Sequence, residues 1–381
     1  MQAGVFACGG THKTLELKIL DGRIVGFPTC DVKPYDDVTR ETFMTVQKKI
    51  SIGAKAVLGA ATFAALMTGA AIADPALIYD AAGKNDKSFN EMAWNGAEAY
   101  AKATGNSYQD LEIQTDAQRE QALRRFAQQG ASPIVVPGFT WAEPLTVVAK
   151  EFPDTHFAII DSVVDLPNVR SVLFKEQEGS FLVGVLAAMK SESGTIGYVT
   201  AFDFPLLQAF GCGYVQGAKA ANADIEVLQN FIGTDFAAFN DINTAGEVGR
   251  SQLERGADVV YAAAGAAGEG ALQAAADAGK YGIGVDSNQN YLFPGNMLSS
   301  MVKRVDVAVQ AAFTDELNGS WTSGIQVLGL AEEGVGAAVD EYNEPLLSDE
   351  MKAALADYTA KINSGEIVVH DYRSDNSCPV S

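Results

Sequence analysis

Histidine, cysteine and basic side chains are all scarce in this sequence. Three histidines and four cysteines are spread over 381 residues. Beyond residue 73 only His156, His370, Cys212 and Cys378 remain, too dispersed for a Cys/His zinc motif. No G-x-S-x-G elbow and no H-E-x-x-H helix occurs, so the common hydrolase signatures are missing. Two cysteines cannot scaffold a fold, and sequence alone leaves open whether these two pair. The expectation is a protein that is no enzyme and carries no cofactor or metal.

Residues 74–381 hold 19 basic against 42 acidic side chains. A surface of that sign repels phosphate backbones and anionic lipid, which argues against nucleic acid and against a polybasic membrane contact. Long apolar runs are also lacking. The one candidate, Ala56 to Met67, is shorter than a bilayer span requires. Met44-Thr45-Val46-Gln47-Lys48-Lys49 precedes it and Ala71-Ile72-Ala73 follows it. A basic start, an apolar middle and an A-x-A site in that order read as a secretory signal over 44–73. Residues 1–43 then read as an upstream extension, with Met44 the working start. Asp74, not cysteine, follows Ala73, so no lipobox is present. The expected product begins at Asp74 and is soluble in the periplasm of a two-membraned bacterium.

From Asp74 onward 308 residues remain, more than one ordinary core and suited to two lobes. Short apolar runs alternate with helical patterns. Strands are expected at Leu77–Asp80, Ile134–Val136, Phe157–Asp161, Val172–Phe174 (a short edge strand), Ile196–Thr200, Glu226–Phe231, Val259–Ala263, Ile283–Asp286 and Ile325–Leu328. Helices are expected at Glu91–Thr104, Asp116–Gln129 with Asp116 as cap, Gly179–Met189, Phe210–Ala221, Thr244–Arg255, after Ala263 through Ala276, Val302–Leu317 and Asp349–Ile362. That alternation predicts an α/β fold with parallel sheets covered by helices. The pattern restarts near residue 176. Ligands of such sheets bind beyond the carboxyl ends of strands, where Asp80, Asp161, Thr200 and Asp286 fall.

The loop Gly83-Lys84-Asn85-Asp86-Lys87-Ser88-Phe89-Asn90, followed by Trp94, offers a carboxylate, amides and an aromatic face on one strand-to-helix turn. Its plainer reading is a capped helix start, with Asp86 or Ser88 as cap and Phe89 packed inward. Two glycine clusters, Gly211-x-Gly213-x-x-x-Gly217 and Gly265-x-x-Gly268-x-Gly270, lack the spacing and context of a dinucleotide fingerprint. They read as places of close backbone approach.

Asp86-Lys87-Ser88-Phe89-Asn90 resembles the D-x-S-F-N signature of the basic membrane protein family, substrate-binding proteins of ABC transporters whose best-understood members are purine nucleoside receptors. Four further segments continue the likeness in order. They are Phe157-Ala158-Ile159-Ile160-Asp161, Phe174 to Gly184 (F-x-x-x-E-x-S-F-L-x-G), Gly284-Val285-Asp286-Ser287-Asn288-Gln289 and Ser300-Met301-Val302-Lys303-Arg304-Val305. Together they cover nearly all of 74–365. The resemblance implies a type I periplasmic-binding fold, two Rossmann-like lobes joined by a three-strand hinge. The lobes would be 74–175 with about 303–328, and 176–302 with about 329–365, leaving 366–381 as a tail. It further implies a purine nucleoside held in the cleft, its base between aromatics and its ribose on charged side chains. By matched motif, Asp86, Phe89, Asn90 and Asp161 line the first lobe, with Trp94 beside them. Asp286 holds the ribose, and Lys303 pairs with Asp286 or donates to a hydroxyl. The family's aromatic-Asn-Asp-Pro turn appears here as Phe239-Asn240-Asp241 without the proline, so Phe239 or Phe236 is the stacking ring. Asn288 stands where the family often has Asp. The implied partners are the small-molecule ligand and an inner-membrane ABC permease, and a monomer is the default. The alternatives are a ligand sensor of the same fold and a periplasmic nucleosidase.

Overall fold

The computed structural model describes residues 19–20, 23–24, 74–80 and 83–380. The expected upstream extension and signal segment therefore lie, but for four residues, outside the described residues. Strand β1 (Ile19–Leu20) pairs antiparallel with β2 (Arg23–Ile24) in a unit distinct from Thr68–Ser381.

The remainder contains two six-stranded sheets. Along the chain come β3 (Ala76–Tyr79), α1 (Phe89–Thr104), β4 (Gln109–Glu112), α2 (Arg119–Gln128), β5 (Ile134–Pro137), α3 (Ala142–Glu151), β6 (Phe157–Ile160) and β7 (Val169–Phe174). There follow α4 (Glu176–Lys190), β8 (Thr195–Thr200), α5 (Pro205–Ala221), β9 (Glu226–Phe231), α6 (Ile242–Glu254), β10 (Val259–Ala263), α7 (Gly268–Asp277), β11 (Tyr281–Asp286) and β12 (Met297–Lys303). The last are α8 (Val305–Leu317), β13 (Gly324–Leu328), β14 (Val335–Ala337) and α9 (Asp349–Asn363). The first sheet has the order β13-β7-β6-β5-β3-β4 and is parallel throughout. The second has the order β14-β12-β11-β10-β8-β9 and is parallel except where β14 runs against β12. Strands β3, β5, β6 and β10 are buried at every position, as strands covered by helices on both faces must be.

The chain passes between the sheets three times: from Phe174 to Glu176, from Lys303 to Val305, and from Leu328 to Val335. After each of the first two passages the next helix packs on the other lobe, α4 against β12 and β14, and α8 against α1.

Several expectations need correction. The short edge strand expected at Val172–Phe174 runs from Val169 to Phe174 and is not at the edge, because β13 pairs outside it. Strand β12 lies where no strand is expected, and its last two residues, Val302 and Lys303, fall at the start of the expected helix; its Ser299 and Ser300 are fully buried and blur both periodicities. Strand β4 was not anticipated, and neither was α3. The helix expected from Asp116 starts as a 3-10 turn capped by Thr115, whose partner Gln118 accepts from the Thr115 backbone. The Gly213–Gly217 cluster lies inside α5. A side chain at either glycine would collide with the backbone of Gln177 or Phe181 on α4, so these glycines permit helix–helix contact.

Candidate ligand-binding site

Where the carboxyl ends of the two sheets face each other, a cavity opens with about 790 Å³ free of protein atoms, its mouth included. The first lobe contributes Asp80 after β3, Gly138 and Phe139 after β5, Asp161 after β6, and Asp86, Phe89 and Asn90 from the entry to α1. The second contributes Leu206, Leu207 and Phe210 on α5, Phe236, Phe239 and Asn240 after β9, and Val285 and Asp286 at the end of β11. Lys303, last in β12, closes the hinge side.

Local chemistry explains the entry to α1. Asp86 accepts the backbone N–H of Ser88 and Glu91 on one oxygen and that of Asn90 on the other, at 2.9–3.0 Å. Those donors are the orphan groups of a helix start. Asp86 is thus a helix cap that also faces the cavity. Burial pushes its carboxyl up to about 7, against the three N–H groups that pull it down. Asn90 exchanges hydrogen bonds with the Asp80 backbone and so ties the loop to β3. Asp80 itself accepts from Arg119 at 2.9 Å and from Thr140 at 3.1 Å. Gly138 must be glycine, because a Cβ there would strike the Asp80 carboxylate.

Asp161 and Asp286 both lie in the left-handed region, at φ 68° and 62°. Aspartate tolerates that region better than most residues, and here it ends a strand at the cavity. Lys303 is buried and pairs with Asp161 at 2.6 Å and with Glu176 at 2.9 Å. The expected Lys303–Asp286 pair is absent among the described residues. Asp286 instead accepts the Ser88 hydroxyl at 2.6 Å, across the two lobes. Burial raises the Asp161 carboxyl to about 6 despite Lys303, and raises Asp286 as well. Burial alone would lower the Lys303 ammonium, but Asp161, Glu176 and Asp286 together hold it above the ordinary lysine range. One oxygen of Asp161, Oδ1, is buried with no hydrogen-bond partner among the described residues.

The lobes touch across the cleft. Lys87, at φ 56°, places its ammonium 2.8 Å from Glu269, and its carbonyl accepts from Ser287 and Gln289. At the mouth Phe139 of the first lobe stacks on Phe204 of the second at 4.4 Å and meets Phe236 at 5.1 Å. Phe236 is 38% exposed, whereas Phe239 is half-buried.

Eight of the nine residues singled out in the sequence line this cavity. Trp94 does not. It lies five residues beyond Phe89, a turn of about 140° around the helix at 3.6 residues per turn, and it reaches Glu98 and Lys84 instead. The sequence marks Asp80 as a strand-end residue without assigning it to the site, and gives no sign of Phe139, Phe210 or the Leu206–Leu207 pair. Asp80 ends a strand as Asp161 does, so its signal was present. The α5 residues carry no signal, because an apolar residue facing a cleft looks like any core residue.

This is the arrangement of an extracytoplasmic-type substrate-binding fold: two α/β lobes, three crossings and one interlobe cavity. The chain belongs to the Bmp family, described as ABC transporter substrate-binding protein PnrA-like, whose model matches residues 75–372. It is 37% identical over 280 residues to an uncharacterized lipoprotein of Pyrococcus furiosus, covering 68% of this chain and 69% of that protein. It is 32% identical to basic membrane protein A of Borreliella burgdorferi, covering 75% of this chain and 84% of that one. Among solved structures, an ABC transporter solute-binding protein from Aeropyrum pernix superposes with a TM-score of 0.71 at 29% identity, covering 78% of this chain and 94% of the other. No helix among the described residues is long and apolar enough to cross a membrane. The word lipoprotein belongs to the relative's name, and the segment bearing on anchoring here, 44–73, lies outside the described residues.

Proposed function

We propose that this protein captures a purine nucleoside in the interlobe cavity, outside the cytoplasm, and presents it to a membrane-embedded ABC permease. The observation that carries the reading is the pairing of opposed walls. Phe89 stands on one side and Phe239 on the other, the Asp161 and Asp286 carboxylates line the same cavity, and Asp161 keeps one oxygen without a partner among the described residues. A purine offers two π-faces, and base–aromatic stacking is worth about 1–3 kcal/mol per base. A ribose diol offers two hydroxyl donors, and ionised acceptors make the stronger hydrogen bonds. Asp80 and Asn240 supply polar contacts for the edge of a heterocycle.

Capture would stabilise the state in which Lys87, Ser88 and Phe139 meet the second lobe, since a ligand touching both walls binds that state better than an open one. In this reading Asp86 acts mainly by shaping the loop, and Asn90 by holding β3 to it. The protein exports its cargo's binding energy as a shape, with ATP hydrolysed on another subunit.

Isothermal titration of residues 74–381 with adenosine, guanosine, inosine, uridine and ribose tests the reading. Saturable binding of purine nucleosides with ribose silent is the expected result. Heat from ribose alone, or from none of the five, overturns the nucleoside assignment while leaving the family membership intact.

A further inference from the structure

Beyond α9 the chain crosses back over the hinge. His370 exchanges two backbone hydrogen bonds with the Gln216 side chain on α5, at 2.9 and 3.0 Å. Cys378 is joined by a disulfide to Cys212 on the same helix. Between these two anchors lies Arg373. Asp371 holds its guanidinium in a fork, with Nε and Nη2 each donating at 2.9 Å. From there Arg373 donates to the carbonyl of Phe174, last residue of β7, at 3.0 Å, and pairs with Glu176, first residue of α4, at 2.9 Å. It therefore straddles the first passage between the lobes. The segment matched by the family model ends at Tyr372, one residue earlier.

Glu176 is fully buried, and its other oxygen faces Lys303. Lys303 in turn faces Asp161, a residue of the cavity lining whose Oδ1 has no partner among the described residues. The buried group holds three carboxylates, Asp161, Glu176 and Asp286, around Lys303, and Arg373 reaches it from its fork on Asp371. Remove Arg373 and the one ammonium must serve Asp161 and Glu176 both. An uncompensated buried charge is costly, and the cheapest relief is a proton.

We propose that Arg373 is a positioning residue of the binding cleft: fixed by the disulfide-tethered tail, it neutralises Glu176 so that Lys303 remains committed to Asp161, which meets the ligand. This rests on the reading of the cavity as a ligand site, but its first consequence does not need a ligand. The groups facing Asp161 are Lys303 from β12, Glu176 from α4, Asp286 from β11 and, through Glu176, Arg373 from the tail. Taking away one positive charge from that set raises the pH at which Asp161 loses its proton.

The test uses the purified protein and four variants: Arg373→Gln, Arg373→Lys, the double Glu176→Gln/Arg373→Gln, and the double Cys212→Ser/Cys378→Ser. The Asp161 carboxyl is followed by carbon NMR across pH, assigned with Asp161→Asn, and inosine affinity is measured at pH 6.5. In Arg373→Gln the Asp161 midpoint is expected to rise by about one unit from about 6, which at pH 6.5 cuts its ionised fraction, and inosine affinity with it, about threefold. The Glu176→Gln/Arg373→Gln protein should recover most of the midpoint, Arg373→Lys part of it, and the cysteine variant should shift in the same direction by less. A tail that only braces the fold would lower the melting temperature of the variants without moving the midpoint, and that result overturns the proposal. If Arg373→Gln does not fold, the double charge variant decides: a midpoint near the parent's supports the proposal and one well above it overturns it. A parent protein that ignores inosine would sink the nucleoside reading, while the midpoints would still judge Arg373.

Discussion

The two walls of the cavity mix polar and apolar side chains in opposite proportions. Beside Phe89 and Phe139, the first-lobe wall presents four polar side chains, Asp80, Asp86, Asn90 and Asp161, and each is fixed by partners of its own lobe or of the hinge. The second-lobe wall presents Leu206, Leu207, Phe210, Phe236, Phe239 and Val285, with Asp286 as its single carboxylate. A polar wall needs every group held in place, because a misdirected buried carboxylate is expensive. An apolar wall needs only shape and area. The contrast points to a division of labour: each wall supplies a stacking ring, Phe89 and Phe239, while the first adds most of the orienting groups and the second most of the desolvating surface.

The largest effect is expected from the one residue that breaks the contrast. Asp286→Asn keeps a side chain suited to the left-handed backbone but loses the charge, and nucleoside affinity should fall by about 2–3 kcal/mol, the worth of a hydrogen bond to a charged group. Titration calorimetry reads this directly, with circular dichroism confirming the fold; unchanged affinity would remove Asp286 from the site. Next comes the aromatic side. Phe239→Ala should cost about 1–3 kcal/mol of binding through lost stacking, and more than Phe236→Ala, because Phe236 sits exposed at the mouth and touches Phe139. Equal losses from both would mean that the base lies nearer the mouth.

The acidic wall can be tested by pH alone. The carboxyls of Asp86 and Asp161 are raised from 3.8 to about 7 and about 6 by burial. A carboxyl must be ionised to accept two hydroxyl donors, and Asp161 rather than the loop-shaping Asp86 meets the ligand, so affinity should climb between about pH 5 and 7 and then level. The stability of the ligand-free protein should run the other way. Groups that hold protons more tightly when folded stabilise fully below their unfolded pKa, and that contribution fades as pH rises through the folded values. Melting temperatures across pH 4–8 and affinities over the same range should therefore slope in opposite directions, and parallel slopes would contradict the assignment.

A smaller change is expected at the contact that joins the walls. Lys87 and Glu269 are each more than a third exposed on their side chains, so their ion pair is worth about 1 kcal/mol or less and screens with salt. Glu269→Gln should weaken binding a few-fold in low salt and hardly at all in 0.5 M salt, as equilibrium titrations at both strengths would show. Trp94→Ala should leave affinity unaltered, since the ring points away from the cavity; a tenfold loss would move the site.

Much of this was legible beforehand because it is written in local pattern. Strand–helix alternation, the carboxylates at strand ends and the loop Asp86 to Asn90 are short-range features that declare themselves in a single chain. The reading faltered where burial overrides pattern. In β12 the buried serines look like neither strand nor helix, and so Lys303 was placed on a helix rather than at the end of a central strand.

The sequence by itself determined the α/β class, the two-lobe size, the acidic character and eight of the residues that line the cavity, since periodicity, composition and end-of-strand chemistry act within a few residues. Which groups are partners was decided only by the tertiary structure. Lys303 answers to Asp161 and Glu176 rather than Asp286, Ser88 reaches Asp286 across the cleft, and Cys212 meets Cys378 over 166 residues of chain. Those pairings depend on how two sheets and a returning tail converge at one hinge, and charge and hydrogen bonding act over ångströms in space regardless of separation along the chain.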